Sequence, residues 1–329
     1  MKLATFLTGD RRSHAGVVRD NRIVTLDYPT LFELLRDPNG LRRARDIVSP
    51  AEPDRPSYTP NMAGFPAALP DVSTLFQQVQ GPQEDEHTLN EIVFRSPIPD
   101  PPTLRDFYAF EQHVATARRN RGLDMTPEWY EIPTFYFSNT SEIYGHDNPI
   151  PYPVGSNALD FELEIACVIG REGKDIPVEQ AADYIAGYTI MNDWSARDFQ
   201  MKDMKLNLGP GKGKDFATSL GPLLVTPDEL AARRTGSGAS ERYDMPMIAR
   251  INGKEVSRGN FNQIYYSFPQ MIAYASRNAR LRVGDVIGSG TVGTGCILEL
   301  GTQVHGWLQR DDEVELEIDG IGILRNRIM

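Results

Sequence analysis

What most constrains this chain is the rhythm of everything after residue 103. Short runs rich in β-branched and aromatic residues recur at 135–137, 163–169, 188–191, 247–251, 283–287 and 314–318, with few long helical patterns between them. Runs this short pair mostly with near neighbours, so a mixed, antiparallel-rich sheet is expected rather than a doubly wound parallel one. The predicted class is α+β and β-rich. The chain's 28 glycines and 24 prolines keep the runs short by breaking both regular periods.

The first hundred residues read as a smaller unit of the same kind. Strands are expected over 3–7 and 23–26, and Ala15-Gly-Val-Val-Arg-Asp-Asn-Arg22 reads as a hairpin turning at Asp20-Asn21. Thr30 is placed to cap a short helix through Arg36, and 41–48 mixes basic and apolar residues in a second helical pattern. Repeated prolines with Ser, Asn and Gly at 49–70 predict an ordered loop. A second cluster, Ser96-Pro-Ile-Pro-Asp-Pro-Pro102, is stiff and poor in backbone donors, which makes it the boundary candidate. The expected division is a small β-rich N-terminal domain with a proline-rich linker over 1–100 and a larger domain over 101–329.

Charge narrows the partners. The 329 residues carry 45 acidic against 34 basic side chains, a net charge of -11, and no Lys/Arg block interrupts that balance. Nucleic acid and anionic membrane, both drawn to basic patches, are therefore not expected partners. No run approaches the roughly 20 apolar residues of a membrane span. Met1 to Thr8 is short and runs into Gly9-Asp10-Arg11-Arg12, so no signal peptide is expected. Only Cys167 and Cys296 are present, both in apolar strand-like runs, which argues against a disulfide framework and for a reducing cytoplasm.

Five stretches could carry chemistry. In Leu159-Asp-Phe-Glu-Leu-Glu-Ile165, a strand would put Glu162 and Glu164 on one face, with Phe161 and Leu163 on the other. Such a pair is either a solvated acidic face or a site for a hard cation. In Gly187-Tyr-Thr-Ile-Met-Asn-Asp-Trp-Ser-Ala-Arg-Asp-Phe-Gln200, Asp193 stands where a strand meets a helix. It is either an N-cap, helped by the Ser195/Asp198 spacing, or a strand-end carboxylate meeting the Glu pair with Arg197 and Gln200 one turn on. Asp106 and His113 are seven apart, and on one helix they would be separated by roughly 10.5 Å along the axis. They would then have different jobs, unless His113 is simply a structural hydrogen bonder. The stretch 208–218 fails the phosphate-loop template because Asp215 follows Lys214, leaving a plain surface loop or one that delivers Lys214 to an anion. The glycine-rich stretch 287–299 contains Thr291 and closes on Glu299. Nothing matches Gly-x-Ser-x-Gly, His-Glu-x-x-His or paired Cys/His spacing.

Taken together, the Asp-Phe-Glu-Leu-Glu run, the Met-Asn-Asp-Trp-Ser-Ala-Arg-Asp run and the Gly-Lys-Asp-Phe loop resemble the fumarylacetoacetate hydrolase family, in its order and spacing, over about residues 100 to 329. The resemblance implies a mixed β-roll catalytic domain over 101–329, a divalent metal (Mg²⁺, Mn²⁺ or Ca²⁺) and a homodimer. It implies metal ligands at Glu162, Glu164 and Asp193 with a fourth at Asp106, a water-activating pair at His113 and Glu299, and cationic and amide groups for substrate and leaving carbanion at Arg197, Gln200 and Lys214. Tyr108 and Thr291 match substrate contacts. The implied activity on a small molecule is hydrolysis of a C–C bond in a 1,3-diketone or acylpyruvate. Alternatives are a decarboxylase, hydratase or isomerase of a 2-oxo acid on the same metal site, and a catalytically silent metal- or ligand-binding protein. Small bacterial members carry a Lys in the strand where Phe137-Ser138-Asn139 stands here, which points to a longer or less charged substrate.

Overall fold

The computed structural model describes residues 1–48 and 85–329, so the loop expected over 49–70 lies outside the described residues. The expected hairpin is present. Strands Ser13–Arg19 and Arg22–Leu26 pair antiparallel with Arg19 opposite Arg22. The two turn residues take positive φ, 47° at Asp20 and 63° at Asn21, a conformation their short polar side chains tolerate and one whose twist matches the strands. Thr30 caps the Leu31–Arg36 helix, its hydroxyl accepting from the Phe32 N–H.

Among the described residues the fold is dominated by one mixed 12-stranded sheet. Its main path runs Glu86–Thr88, Arg22–Leu26, Ser13–Arg19, Lys2–Leu7, Thr218–Val225, Ile185–Asp193, Leu163–Ile169, Val286–Gly288, Leu104–Phe107 and Phe135–Ser138. The first strand of the chain thus joins the later half of the sequence directly, with Lys2 opposite Val225 and Leu3 opposite Leu224. Neighbours on this path are antiparallel except Val286–Gly288 and Leu104–Phe107, which run parallel. The Pro-rich 96–102 stretch is packed against the sheet: Ile98 is buried and Thr5 Oγ1 donates to the Pro97 carbonyl at 2.9 Å.

Two cores clamp the central strands. Leu163, Ile165, Cys167 and Ile169 enter one, with Tyr188, Trp194, Phe261 and Phe268. Ala166 and Val168 enter the other, with Leu3, Val17, Leu34, Leu220 and Leu224. Burial on both faces explains why 163–169 reads as an apolar run without alternation. A smaller four-stranded sheet, Lys254–Asn260, Pro246–Ile251, Glu313–Ile318 and Gly322–Arg327, closes the first core. One strand starts later than expected: Val283 and Gly284 belong to a turn in which Asp285 accepts the Arg282 N–H, so pairing begins at Val286. The longest described helix, Glu111–Asn120, has 10 residues, and no helix of the described residues is long and apolar enough to cross a membrane.

Candidate active site

The site lies on the sheet face that also carries Leu104, Ala166, Met191 and Val286. Two residues on from Leu104, Met191 and Val286, the same face presents Asp106, Asp193 and Gly288, and two before Ala166 it presents Glu164. The strand order therefore lines up three carboxylates across neighbouring strands, with a glycine in the row. That glycine is required: a Cβ on Gly288 would come within 2.6 Å of Asp106 Oδ1 and 2.7 Å of Met191 Cε. Glu162 joins from the break between strands Leu159–Asp160 and Leu163–Ile169, its N–H donating to Asn192 Oδ1 at 2.9 Å. The uninterrupted strand expected over 159–165 is thus broken ahead of Leu163. Both glutamates still reach one point while Phe161 and Leu163 enter the core.

Asp106, Glu162, Glu164 and Asp193 are all buried, with one oxygen of each within 4.8 Å of the others. Glu164 Oε2 accepts the Gly290 N–H at 3.0 Å, which also reaches Asp106 Oδ1 at 3.2 Å, and Glu164 Oε1 accepts from Thr291 Oγ1 at 3.4 Å. Lys214 Nζ donates to Glu162 Oε2 at 2.5 Å and Asp193 Oδ2 at 2.6 Å. Arg197 Nη2 donates to Glu162 Oε1 at 2.8 Å, while its Nη1 reaches Gln200 Oε1 at 2.9 Å. Burial, reinforced by neighbouring carboxylates, pushes Asp106 and Glu164 well above the usual carboxylate range. Burial also raises Asp193, with Lys214 opposing and Glu162 adding to the rise. Glu162 goes the other way, because Lys214 and Arg197 overcome the cost of burial and hold it at about 2.

Two cations thus face a surplus of buried carboxylates, and Asp193 Oδ1 has no hydrogen-bond partner at all. Oxygen donors only, excess negative charge and one unpartnered inward oxygen are what a hard divalent cation requires. Asp193 is the last residue of its strand, not an N-cap: Ala196 occupies that position before the Arg197–Met204 helix and makes no side-chain capping bond. Asp198 accepts instead from Ser156 Oγ and the Asn157 N–H. Lys214 is buried too, so its glycine loop is not a plain surface loop; Gly213 packs where a Cβ would meet Gln200 at 2.5 Å.

The shared helix considered for Asp106 and His113 does not form. Asp106 is in strand Leu104–Phe107, the chain turns, and the helix carrying His113 begins at Glu111. His113 Nδ1 pairs with Glu299 Oε1, on the short Ile297–Leu300 helix, and Glu299 Oε2 accepts the Thr294 N–H at 2.9 Å. The Tyr108 ring stands edge-on to His113 at 5.5 Å, and burial lifts its hydroxyl to about 12. The two halves sense one another, since the His113 imidazole contributes to holding Glu162 low. Trp129 shapes this region from behind, its Nε1–H donating to the Tyr108 carbonyl at 2.8 Å.

Three residues beside the site stand in contacts that the sequence does not reveal. Tyr136 donates its hydroxyl to Asp193 Oδ2; it stands directly opposite Asp106 in the sheet, a register that only strand pairing reveals. Asp160 is fully buried and ties the halves together: Oδ2 accepts Arg197 Nε at 2.8 Å and the Leu298 N–H at 3.0 Å, and Oδ1 accepts the Ile297 N–H at 2.8 Å. Cys296 is the N-cap residue of the Glu299 helix, not a strand residue as expected, because Gly295 and Thr294, with φ 70°, turn the chain there. Both cysteines are buried and free. Beside Tyr136 and Lys214 opens a cavity of about 690 Å³ whose walls include Phe137, Ser138, Leu206 and Leu208.

Fold and site together define a sheet-borne, carboxylate-rich centre whose four acidic groups could hold a metal ion, flanked by a His–Glu pair. The model of the fumarylacetoacetate (FAA) hydrolase C-terminal domain matches residues 103–329, and the chain belongs to the fumarylacetoacetate hydrolase family. A mitochondrial oxaloacetate tautomerase from Xenopus laevis is 35% identical over 198 residues, 60% of this chain and 58% of that protein. The fumarylacetoacetase of Oryza sativa subsp. japonica is 31% identical over 275 residues, 66% of this chain and 64% of that protein. The matches therefore span less than two thirds of these curated relatives. Among solved structures, fumarylacetoacetate hydrolase from Exiguobacterium antarcticum superposes with a TM-score of 0.69 at 23% identity, covering 100% of this chain and 99% of that one. Fumarylpyruvate hydrolase from Pseudomonas aeruginosa, solved with Mn²⁺ and pyruvate, gives 0.57 at 23% identity over 70% of this chain and 90% of that one. At such identities the structures establish the fold.

Proposed function

We propose that this protein is a Mg²⁺- or Mn²⁺-dependent hydrolase that cleaves a C–C bond in an acylpyruvate or related 1,3-diketone. The observation that carries the reading is the combination in one site of four buried carboxylates and a buried His–Glu pair. Asp106, Glu162, Glu164 and Asp193 would hold the cation, which would supply Lewis acidity to a 1,3-dicarbonyl. His113, oriented through Nδ1 by Glu299, keeps Nε2 free to take a proton from water, and the water oxygen bonds to one carbonyl carbon. The adjacent C–C bond breaks, its electron pair leaving as an enolate that is then protonated. Lys214 and Arg197 bring positive charge and Gln200 an amide to the site, with Tyr108 against His113 and Thr291 against Glu164. The Mn²⁺ in the Pseudomonas aeruginosa structure is consistent with the choice of ion.

A second reading, tautomerisation of a 2-oxo acid, is favoured by the Xenopus laevis relative. It needs the cation and a proton shuttle but no nucleophilic water. The adjoining cavity offers both kinds of contact, Phe137, Leu206 and Leu208 for an acyl chain and Lys212 and Lys214 for a carboxylate, which supports a substrate with one of each. The test is a panel of acylpyruvates, uncharged 1,3-diketones and oxaloacetate with Mg²⁺-loaded protein, following loss of the enol absorbance. A medium-chain acylpyruvate should give the highest kcat/KM. Oxaloacetate ahead by tenfold, about 1.4 kcal/mol of transition-state preference, would overturn the hydrolase reading.

A further inference from the structure

Cys296 has no part in the reaction above, yet it stands against the His–Glu pair. Its Sγ lies 3.9 Å from Glu299 Oε1, and one donor atom each from His113, Cys296 and Glu299 fall within 4.8 Å of one another. His113 and Cys296 are buried, and the Glu299 side chain is 1% exposed. The three positions are fixed from outside the cluster. The Thr294 N–H holds the second oxygen of Glu299, and Asp160 accepts the N–H groups of Ile297 and Leu298, which lie between Cys296 and Glu299. Nitrogen, sulfur and oxygen donors thus converge where the carboxylate cluster offers oxygen alone.

We propose that His113, Cys296 and Glu299 form a second metal site, selective for borderline and soft divalent cations such as Zn²⁺ and Cd²⁺, and that filling it inhibits the enzyme. A tetrahedral Zn²⁺ with sulfur at about 2.3 Å and nitrogen or oxygen at about 2.0–2.2 Å sets its donors roughly 3.3–3.8 Å apart. The His113–Glu299 contact must open to admit the ion and the Cys296 sulfur must close on it, both by side-chain rotation. The thiol proton leaves to solvent as the sulfur–metal bond forms, the ring proton moves from Nδ1 to Nε2 as Nδ1 binds, and no electrons are transferred. Thiolate and imidazole select against Mg²⁺ and Ca²⁺, so the molecule sorts cations between two sites by softness. A cation on Nδ1 takes Glu299 away from His113 and leaves the ring proton on Nε2, which can then no longer take one from water. That consequence rests on the reading of His113 as the base; the binding does not.

The test uses the full-length protein saturated with Mg²⁺ and titrated with Cd²⁺, following the ultraviolet sulfur-to-cadmium charge-transfer band. One equivalent should generate the band and suppress turnover. Cys296→Ser, close in size and a good N-cap residue, should lose the band, keep Mg²⁺-supported turnover and weaken Zn²⁺ inhibition by about tenfold or more. Cys167 remains in that variant as an internal control. No band in the wild-type protein, or an undiminished band in Cys296→Ser, would overturn the site. If Cys296→Ser does not fold, His113→Gln decides, since it keeps the thiol and unchanged Cd²⁺ affinity would exclude a three-donor site. A band that behaves as expected while turnover continues leaves the site standing and instead overturns His113 as the base.

Discussion

The carboxylate cluster and the His–Glu pair are built in opposite ways. Asp106, Glu164 and Asp193 stand on neighbouring strands of one sheet clamped between two cores, and their spacing is set by backbone pairing. His113 and Glu299 come from two helices that carry one member each, 186 residues apart, and meet only through tertiary packing. The first half is rigid and electrostatically frustrated without a cation. The second is self-satisfied, each polar atom of Glu299 having a partner. Loss of metal and loss of base should therefore look different, although both stop the reaction.

The largest expected effect is on the cluster. Glu164→Gln should reduce turnover by about 10³-fold or more together with metal affinity, given the several kcal/mol a metal supplies. Metal content and rate measured side by side check this, and a slow variant with full metal content would show that Glu164 is not a ligand. His113→Ala should give the complementary result. Its rate falls by roughly 10²–10⁴ while metal content is unchanged, the usual worth of a general base.

Asp160 is where the two halves join, so it should blur the distinction. Replacing it with Asn puts a donor against the Arg197 and backbone N–H groups it now accepts, displacing both Arg197 and the Glu299 helix. A fall in kcat of about tenfold to hundredfold is expected, the scale of a 1 Å misplacement, with KM little changed. If kcat is preserved, the link is merely structural.

The smallest effect is on stability. In metal-free protein the folded-state values of Asp106, Glu164 and Asp193 lie above their unfolded ones. Such groups contribute stability that is complete below the unfolded values, about pH 4, and is lost as pH rises through the raised ones. The Tm difference between Mg²⁺-loaded and chelated protein should therefore widen as pH rises above about 4. A difference that is flat with pH would mean that the cluster is not the site of binding.

The same contrast explains what was legible in the sequence. Strand periodicity alone put Glu162 and Glu164 together, because two-residue alternation survives even where the strand is broken before Leu163. The turn at Asp20-Asn21 and the cap at Thr30 were equally local and equally readable. The pairing of His113 with Glu299 came only through family resemblance, since no periodicity relates residues that far apart. Asp106 and His113 were considered on one helix because seven residues fit two turns; the sequence does not reveal that a strand ends between them. The contact of Tyr136 with Asp193 is not readable from the sequence, because it depends on register against Asp106, and register between distant strands is set by the whole sheet.

The central claim is that water activated at His113 breaks a C–C bond while the carboxylate cluster holds the cation. Turnover of an acylpyruvate in water labelled with heavy oxygen, analysed by mass spectrometry of the products, tests it most directly. The account predicts one labelled oxygen in the newly formed carboxylate with Mg²⁺-loaded protein, and its loss in step with rate in His113→Ala. Loss of the enol absorbance with no cleaved, labelled acid would contradict it and mark the protein as a tautomerase.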